Sequence, residues 1–230
     1  MSSEAPGSNT RLAGPSAAPL SGEEARQLVV LLHGVGADGS DLMALVPYVA
    51  PALPHAAFVA PDAPFAYDMA PYGRQWFSLS DRSVPALTAG VRNVAPLLDA
   101  FIDEQLEFHG LTDADLVLVG FSQGTMLALH VAPRRQRACA AIVGFSGALM
   151  AADTLAAELK SRPRTLLIHG EADEVVNPAC LAQAEQGLSA VGIPVLAEML
   201  PDLGHSIDGP GLGLAVGFVR QALGLEDDLG

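Results

Sequence analysis

Lysine is almost missing from this chain: Lys160 is the only one in 230 residues. It follows Leu159 rather than glycine, so no Walker-type phosphate loop can be built on it. No tyrosine has a lysine four residues later, so the Tyr-x-x-x-Lys pair expected of short-chain dehydrogenases is missing too. Basic residues are scarce as a whole, 12 against 26 acidic ones, for a net charge of −14. That balance argues against nucleic acid or an anionic membrane surface as partner, since both require a basic patch. Cysteine is limited to Cys139 and Cys180, with no Cys-x-x-Cys, which excludes a zinc ribbon or a thioredoxin-like centre. Cys139 lies in an apolar run and reads as a buried free thiol, and nothing calls for a disulfide. A reducing, cytoplasmic setting is the expectation. No apolar run reaches transmembrane length, so no integral membrane association is expected. The start of the chain lacks the basic opening and continuous apolar core of a signal peptide.

Half of the residues are apolar, enough for a sizeable core. The composition fits a flexible tail over 1–24, rich in Ser, Pro, Gly and Ala, followed by a single catalytic domain over 25–230. Strand-like runs at 27–32, 56–60, 115–120, 139–145, 165–169 and 194–200 alternate with helix-like runs at 38–49, 87–108, 123–131, 178–190 and 211–223. Several strands are unbroken aliphatic runs, as expected when both sheet faces are covered. The alternation predicts an α/β fold: a mostly parallel sheet with helices on both faces and right-handed crossovers. The least regular internal stretch, 63–85, carries Pro64, Pro71, Tyr72, Trp76 and Phe77, and loops of that length are usually functional. Between Phe145 and Arg164 there is room for one small helix and no large cap domain, so an open site is expected.

Leu116-Val-Leu-Val-Gly120-Phe-Ser122-Gln-Gly124 places Gly-x-Ser-x-Gly between a buried strand and an apolar helix. Pattern alone means little in a chain with 23 glycines. In this context it reads as a serine held up as a nucleophile on a sharp strand-to-helix turn. Such a serine needs a base and a carboxylate, in the chain order Ser, Asp or Glu, His. Three histidines follow Ser122. His130 lies within the next helix. His169 precedes the candidate acids and has the wrong order. His205 follows the last strand, in a loop, where a base belongs. Asp173 is the candidate acid because Gly170 ends its strand and leaves three residues to turn toward the site; Glu171 is the reserve. His169, Glu171 and Asp173 could also approach one another as metal ligands, but no further His/Cys cluster supports that. No metal and no organic cofactor is expected. The Gln123 N–H, just after the nucleophile, is a candidate oxyanion donor, and the glycine loop at His33-Gly34-Val35-Gly36 is a candidate source of the second.

That loop supports a rival reading. Gly34-Val-Gly36-Ala-Asp-Gly39 is a literal Gly-x-Gly-x-x-Gly between a strand and a helix. Asp62 lies near the end of the following strand, as in a dinucleotide-binding oxidoreductase. This rival leaves Ser122, Asp173 and His205 unexplained.

Six stretches together resemble the phospholipase/carboxylesterase family, the small α/β-hydrolases that include acyl-protein thioesterases. They are Leu31-Leu-His-Gly-Val-Gly-Ala-Asp-Gly-Ser-Asp-Leu42, Pro61-Asp-Ala-Pro64, Arg74-Gln-Trp-Phe77, Gly120-Phe-Ser-Gln-Gly124, His169-Gly-Glu-Ala-Asp173 and Gly204-His205. The resemblance implies an α/β-hydrolase fold, a Ser122–His205–Asp173 triad, and oxyanion N–H groups from Val35 and Gln123. It implies that Trp76 and Phe77 line an acyl groove. Thr125 departs from it, standing where the family often has glycine, as does Asn177 before Pro178. The expected activity is a serine carboxylic-ester hydrolase acting on short to medium acyl esters, with lysophospholipids and acyl thioesters fitting equally well. The partner is then a small-molecule or lipid ester, and an exposed apolar groove would favour a homodimer. A non-catalytic relative that only binds acyl groups is the remaining alternative.

Overall fold

A computed structural model describes residues 11–225. Its centre is a seven-stranded sheet in the order β1-β3-β2-β6-β7-β8-β9. The strands are β1 (Ser16–Ala17), β2 (Gln27–Leu32), β3 (Ala56–Val59), β6 (Leu116–Phe121), β7 (Ala141–Phe145), β8 (Arg164–Gly170) and β9 (Val195–Leu200). Pairing is parallel throughout except for β1, which runs antiparallel to β3. A short hairpin, β4 (Phe65–Ala66) with β5 (Arg74–Gln75), stands apart. The helices are α1 (Gly39–Met43), α2 (Val46–Val49), α3 (Val84–His109), α4 (Gln123–Val131), α5 (Ala152–Glu158), α6 (Ala179–Ala190) and α7 (Gly209–Ala222).

The aliphatic runs divide between two layers. Leu28, Val30, Leu32, Leu116, Leu118 and Ile142 point to one core with buried residues of α3, α4 and α6. Val29, Leu31, Phe58, Val117, Val143 and Phe145 point to the other, with residues of α1, α2 and α7. Period-two alternation sends neighbours to opposite faces, so a strand covered on both sides must be apolar at every position.

Topology places the site. From β2 the chain passes through α1 and α2 on one face to β3; from β3 it passes through α3 on the other face to β6. β2 and β6 are neighbours in register, Leu32 opposite Gly120, yet the loops leaving them diverge to opposite faces. A crevice opens at such a switch point, outside the carboxyl ends of the strands. The glycine loop after β2 and Ser122 after β6 are its two walls.

Three expectations need correction. The helix expected at 38–49 is two: Pro47 lacks the N–H that a continuous helix would use, and the chain restarts at α2 with that proline in its first turn. The stretch 63–85 holds the β4–β5 hairpin, and α3 begins at Val84 behind its Ser83 cap. Of the expected tail, 1–10 lie outside the described residues, but the part from Arg11 packs down: Leu12 is buried, and the Ala60 and Asp62 N–H groups donate to Pro15 and Ala13. Two small residues, Ser16 and Ala17, and backbone bonds suffice for an edge strand, so hydrophobic patterning gives no sign of it.

α4 is buried along its whole length, His130 included. Burial, reinforced by the positive charges of Arg134 and Arg92, pushes the His130 imidazole down to about 4. In the unfolded chain it titrates near 6.5. Between these values the unfolded state holds one more proton, so stability falls as pH falls. We expect His130 alone to remove about 2–3 kcal/mol between pH 7 and pH 4.5. Urea denaturation at the two pH values checks this: His130→Leu should lose that much less than the parent, and an equal loss in both would refute it.

Candidate active site

Ser122 sits between β6 and α4 with φ 54° and ψ −115°, a conformation an L-residue adopts only under constraint. The constraint is visible. A Cβ at Gly124 would stand 1.9 Å from the Leu32 carbonyl oxygen, and one at Gly120 would stand 2.4 Å from the Thr125 nitrogen. Only glycines let α4 press this closely onto β2 and β6. The Ser122 N–H donates to the Phe145 carbonyl at 2.9 Å, tying the turn to β7. Thr125, the departure from the family pattern, fills space left by a second glycine: a Cβ on Gly147 would lie 2.4 Å from the threonine Cβ. Its hydroxyl lies 2.8 Å from the carbonyls of both Gly120 and Phe145.

Across the crevice, the loop after β2 is stapled on both sides. The Gly36 N–H donates to the Arg74 carbonyl at 2.7 Å, and the Arg74 N–H returns to Ala37 at 2.9 Å. His33, fully buried, accepts from the Ala63 N–H at Nε2 (3.0 Å), so its proton is on Nδ1 and donates to Gly34 O at 2.7 Å. Burial holds its pKa below the usual histidine range, against the pull of the Gly34 carbonyl and nearby carboxylates. The N–H groups of Val35 and Gln123 are engaged by no acceptor among the described residues; Gln123 opens α4, where backbone donors have no helical partner. The Gln123 side chain has its own task. Its Oε1 accepts from the Trp76 N–H at 3.0 Å and its Nε2 donates to the Phe77 carbonyl at 2.8 Å.

Asp173 and His205, in the loops after β8 and β9, meet each other. The imidazole Nδ1 donates to Asp173 Oδ2 at 2.7 Å. Oδ1 accepts from the Val175 and Val176 N–H groups at 2.8 and 2.9 Å. Burial works against the charge on Asp173, but the bonds from His205 and the two N–H groups outweigh it and hold its pKa below the usual carboxylate range. The His205 ring packs on Phe121, the residue before Ser122, with centroids 4.8 Å apart. The hydrogen bonds among the described residues do not include one from Ser122 to His205, and such bonds often tighten only when substrate is bound; the ring contact is with the residue next to the serine. Glu171, the reserve acid, is exposed. Asn177 caps the start of α6 through Oδ1, 2.9 Å from the Ala179 N–H.

A model of the phospholipase/carboxylesterase family matches residues 18–223. The chain belongs to that family. It is 28% identical over 200 residues to Esterase YpfH of Escherichia coli (strain K12), covering 86% of this chain and 84% of that one. It is 24% identical over 192 residues to Lysophospholipase-like protein 1 of Mus musculus, covering 78% and 80%. The crystal structure of esterase PE8 superposes with a TM-score of 0.89 at 40% identity, over 93% of this chain and all of that one. Like other phospholipase/carboxylesterase proteins, it has the α/β-hydrolase fold, and it is an esterase-, phospholipase- or thioesterase-type hydrolase of a serine-hydrolase family.

Family membership overturns the dinucleotide rival, and the structure explains the coincidence behind it. Asp62 Oδ1 accepts the Gly39 N–H at 2.8 Å. The carboxylate that would hold a ribose instead anchors the start of α1. Trp76 and Phe77, expected along an acyl groove, sit in the core: they are 0% and 3% exposed. The Trp76 indole donates to the His33 carbonyl at 2.9 Å and lies against the His33 ring. No His/Cys/Asp/Glu group among the described residues has the arrangement of a metal site, and no described helix is long and apolar enough to cross a membrane.

Proposed function

We propose that this family member hydrolyses short to medium acyl esters through an acyl-enzyme on Ser122, with His205 as base and Asp173 as its orienting acid. The Asp173–His205 hydrogen bond, set beside a strained serine turn, carries the reading. His205 takes the Ser122 hydroxyl proton as the oxygen attacks the ester carbonyl. The N–H groups of Val35 and Gln123 receive the oxyanion; each such donor is worth about 10²–10³ in rate. His205 then gives its proton to the departing alcohol, and water repeats the cycle in reverse to free the acid. Asp173 stays ionised and fixes the imidazole tautomer.

The connection between β7 and β8 holds only α5, so no large cap stands over the serine. Short acyl esters and single-chain lipids therefore reach it. The lysophospholipase-like relative supports lysophospholipids as one member of the substrate class, and acyl thioesters place the same carbonyl chemistry at the same serine. Both cysteines are free, Cys139 with its thiol pushed up to about 12 by burial, in keeping with a cytoplasmic setting.

Hydrolysis of p-nitrophenyl esters of graded acyl length, before and after a fluorophosphonate probe, tests the reading. The expected result is turnover that disappears as a single adduct forms on Ser122, located by mass spectrometry. Acyl-ester binding without turnover or adduct would support the non-catalytic alternative instead.

A further inference from the structure

His169 has no part in the mechanism above and the wrong place in the chain order to serve as base, yet it is almost completely buried beside the acid. It ends β8's aliphatic run, four residues before Asp173. Its Nε2 lies 3.0 Å from the Val176 carbonyl and 3.2 Å from Asp173 Oδ2. Both neighbours are acceptors, so Nε2 carries a proton. The contacts close a circuit. Val176 accepts from His169 through its carbonyl and donates to Asp173 Oδ1 through its N–H. His205 holds the same Oδ2, at 2.7 Å. The acid loop is thus pinned to the end of β8 by a side chain, and Asp173 Oδ2 has an imidazole nitrogen of His205 and one of His169 within 3.2 Å.

A carboxylate held by one imidazole and two loop N–H groups can still move whenever its loop moves, because those N–H groups belong to that same loop. His169 is different: it is fixed by β8, a strand paired on both edges, to β7 and to β9. Backbone bonds from the Asp173 N–H to Gly170 and from the Glu171 N–H to Leu200 tie the loop's start to the sheet; His169 is the side chain that refers the carboxylate itself to β8.

We propose that His169 is a positioning residue for Asp173: its Nε2–H, bonded to Val176 and directed past Oδ2, fixes the carboxylate where His205 must meet it. This rests on the Ser122–His205–Asp173 reading above. Substrate does not touch His169, so its loss should lower kcat and leave KM nearly unchanged. Outer partners of catalytic-site histidines in metal sites typically contribute 10–100-fold, and the lower end, about 10-fold, is the expectation here.

The experiment compares kcat and KM on one p-nitrophenyl ester, with active sites counted by fluorophosphonate, for the parent, His169→Leu, His169→Asn and His169→Gln. A glutamine amide can place its N–H near the position of Nε2; a leucine has no donor, and an asparagine amide is too short to reach the Val176 carbonyl. Leu and Asn should each lose about 10-fold in kcat per labelled site, and Gln should recover most of it. The same His169→Leu change in an Asp173→Asn background should cost little more, since residues acting as a unit are non-additive. Parent-like kcat in the Leu and Asn variants overturns the proposal. So does a full further loss in the Asp173→Asn background, or a Gln variant no better than Leu, either of which marks a purely structural histidine. If Leu fails to fold, the Asn and Gln variants carry the comparison. Parent-like activity of Asp173→Asn itself would instead strike the triad reading, and so the two failures are told apart.

Discussion

Ser122→Ala should lower ester turnover by about 10⁵–10⁶-fold while the chain stays folded. Turnover of that variant within about 100-fold of the parent would remove Ser122 as the nucleophile. The loss is expected to fall on kcat, because the serine oxygen forms its bond to the carbonyl only as the reaction proceeds. A residue of rate above solvent should survive, since the N–H groups of Val35 and Gln123 remain in place. Fold retention follows from the environment. Ser122 is held by its backbone, through its N–H to Phe145 and its carbonyl to the Met126 N–H at 3.1 Å, and these bonds do not depend on the hydroxyl. The same geometry makes a second, opposite expectation. At φ 54° the turn stores strain of about 1–3 kcal/mol. Ser122→Gly should therefore raise the melting temperature above that of Ser122→Ala, in an enzyme equally dead. A strained L-residue in the serine turn is less stable than the glycine that would relax it, and calorimetry on the two variants reads that difference directly.

Much of this arrangement is legible in the residues, and the exceptions share a cause. The parallel strands are visible because each is an aliphatic run that both cores demand, and the serine turn is visible because its glycines answer to close backbone approach. Asp173 and His205 are reached by chain order, since strand ends on a parallel sheet converge on one edge. What the residues conceal is the use made of polar side chains inside the fold. His169 is set aside by the order argument, yet three-dimensional closeness to Asp173 comes from a turn of the chain rather than from order. Asp62 imitates a ribose ligand at the right spacing, while its real partner, the Gly39 N–H, is a backbone group that no residue type announces. Gln123 counts in a motif for its N–H, but its amide also holds the Trp76–Phe77 segment. β1 rests on backbone pairing, and Pro47 acts through a missing hydrogen bond whose effect on 38–49 is overshadowed by the apolar periodicity around it.

Trp76→Ala should destabilise the protein by about 3–5 kcal/mol, the range for deleting a large buried aromatic side chain. That is a large part of the 5–15 kcal/mol by which domains are usually stable. The indole is fully buried among apolar neighbours, and its N–H satisfies the His33 carbonyl at the root of the loop proposed to hold the oxyanion. Removing it leaves a cavity beneath that loop and an unpaired buried carbonyl, so the position of the Val35 N–H loosens along with the core. Activity at permissive temperature should then fall by a similar factor for acetate and for longer acyl esters, since an oxyanion is common to all of them. Trp76→Phe separates the two contributions: it keeps most of the ring and loses the hydrogen bond, for a cost of about 1–3 kcal/mol. Denaturant titration together with the acyl-length profile of both variants decides the matter. A loss confined to long acyl chains at unchanged stability would return the indole to the groove, and a uniform loss that scales with the stability deficit places it where the burial does, as the prop under the oxyanion loop.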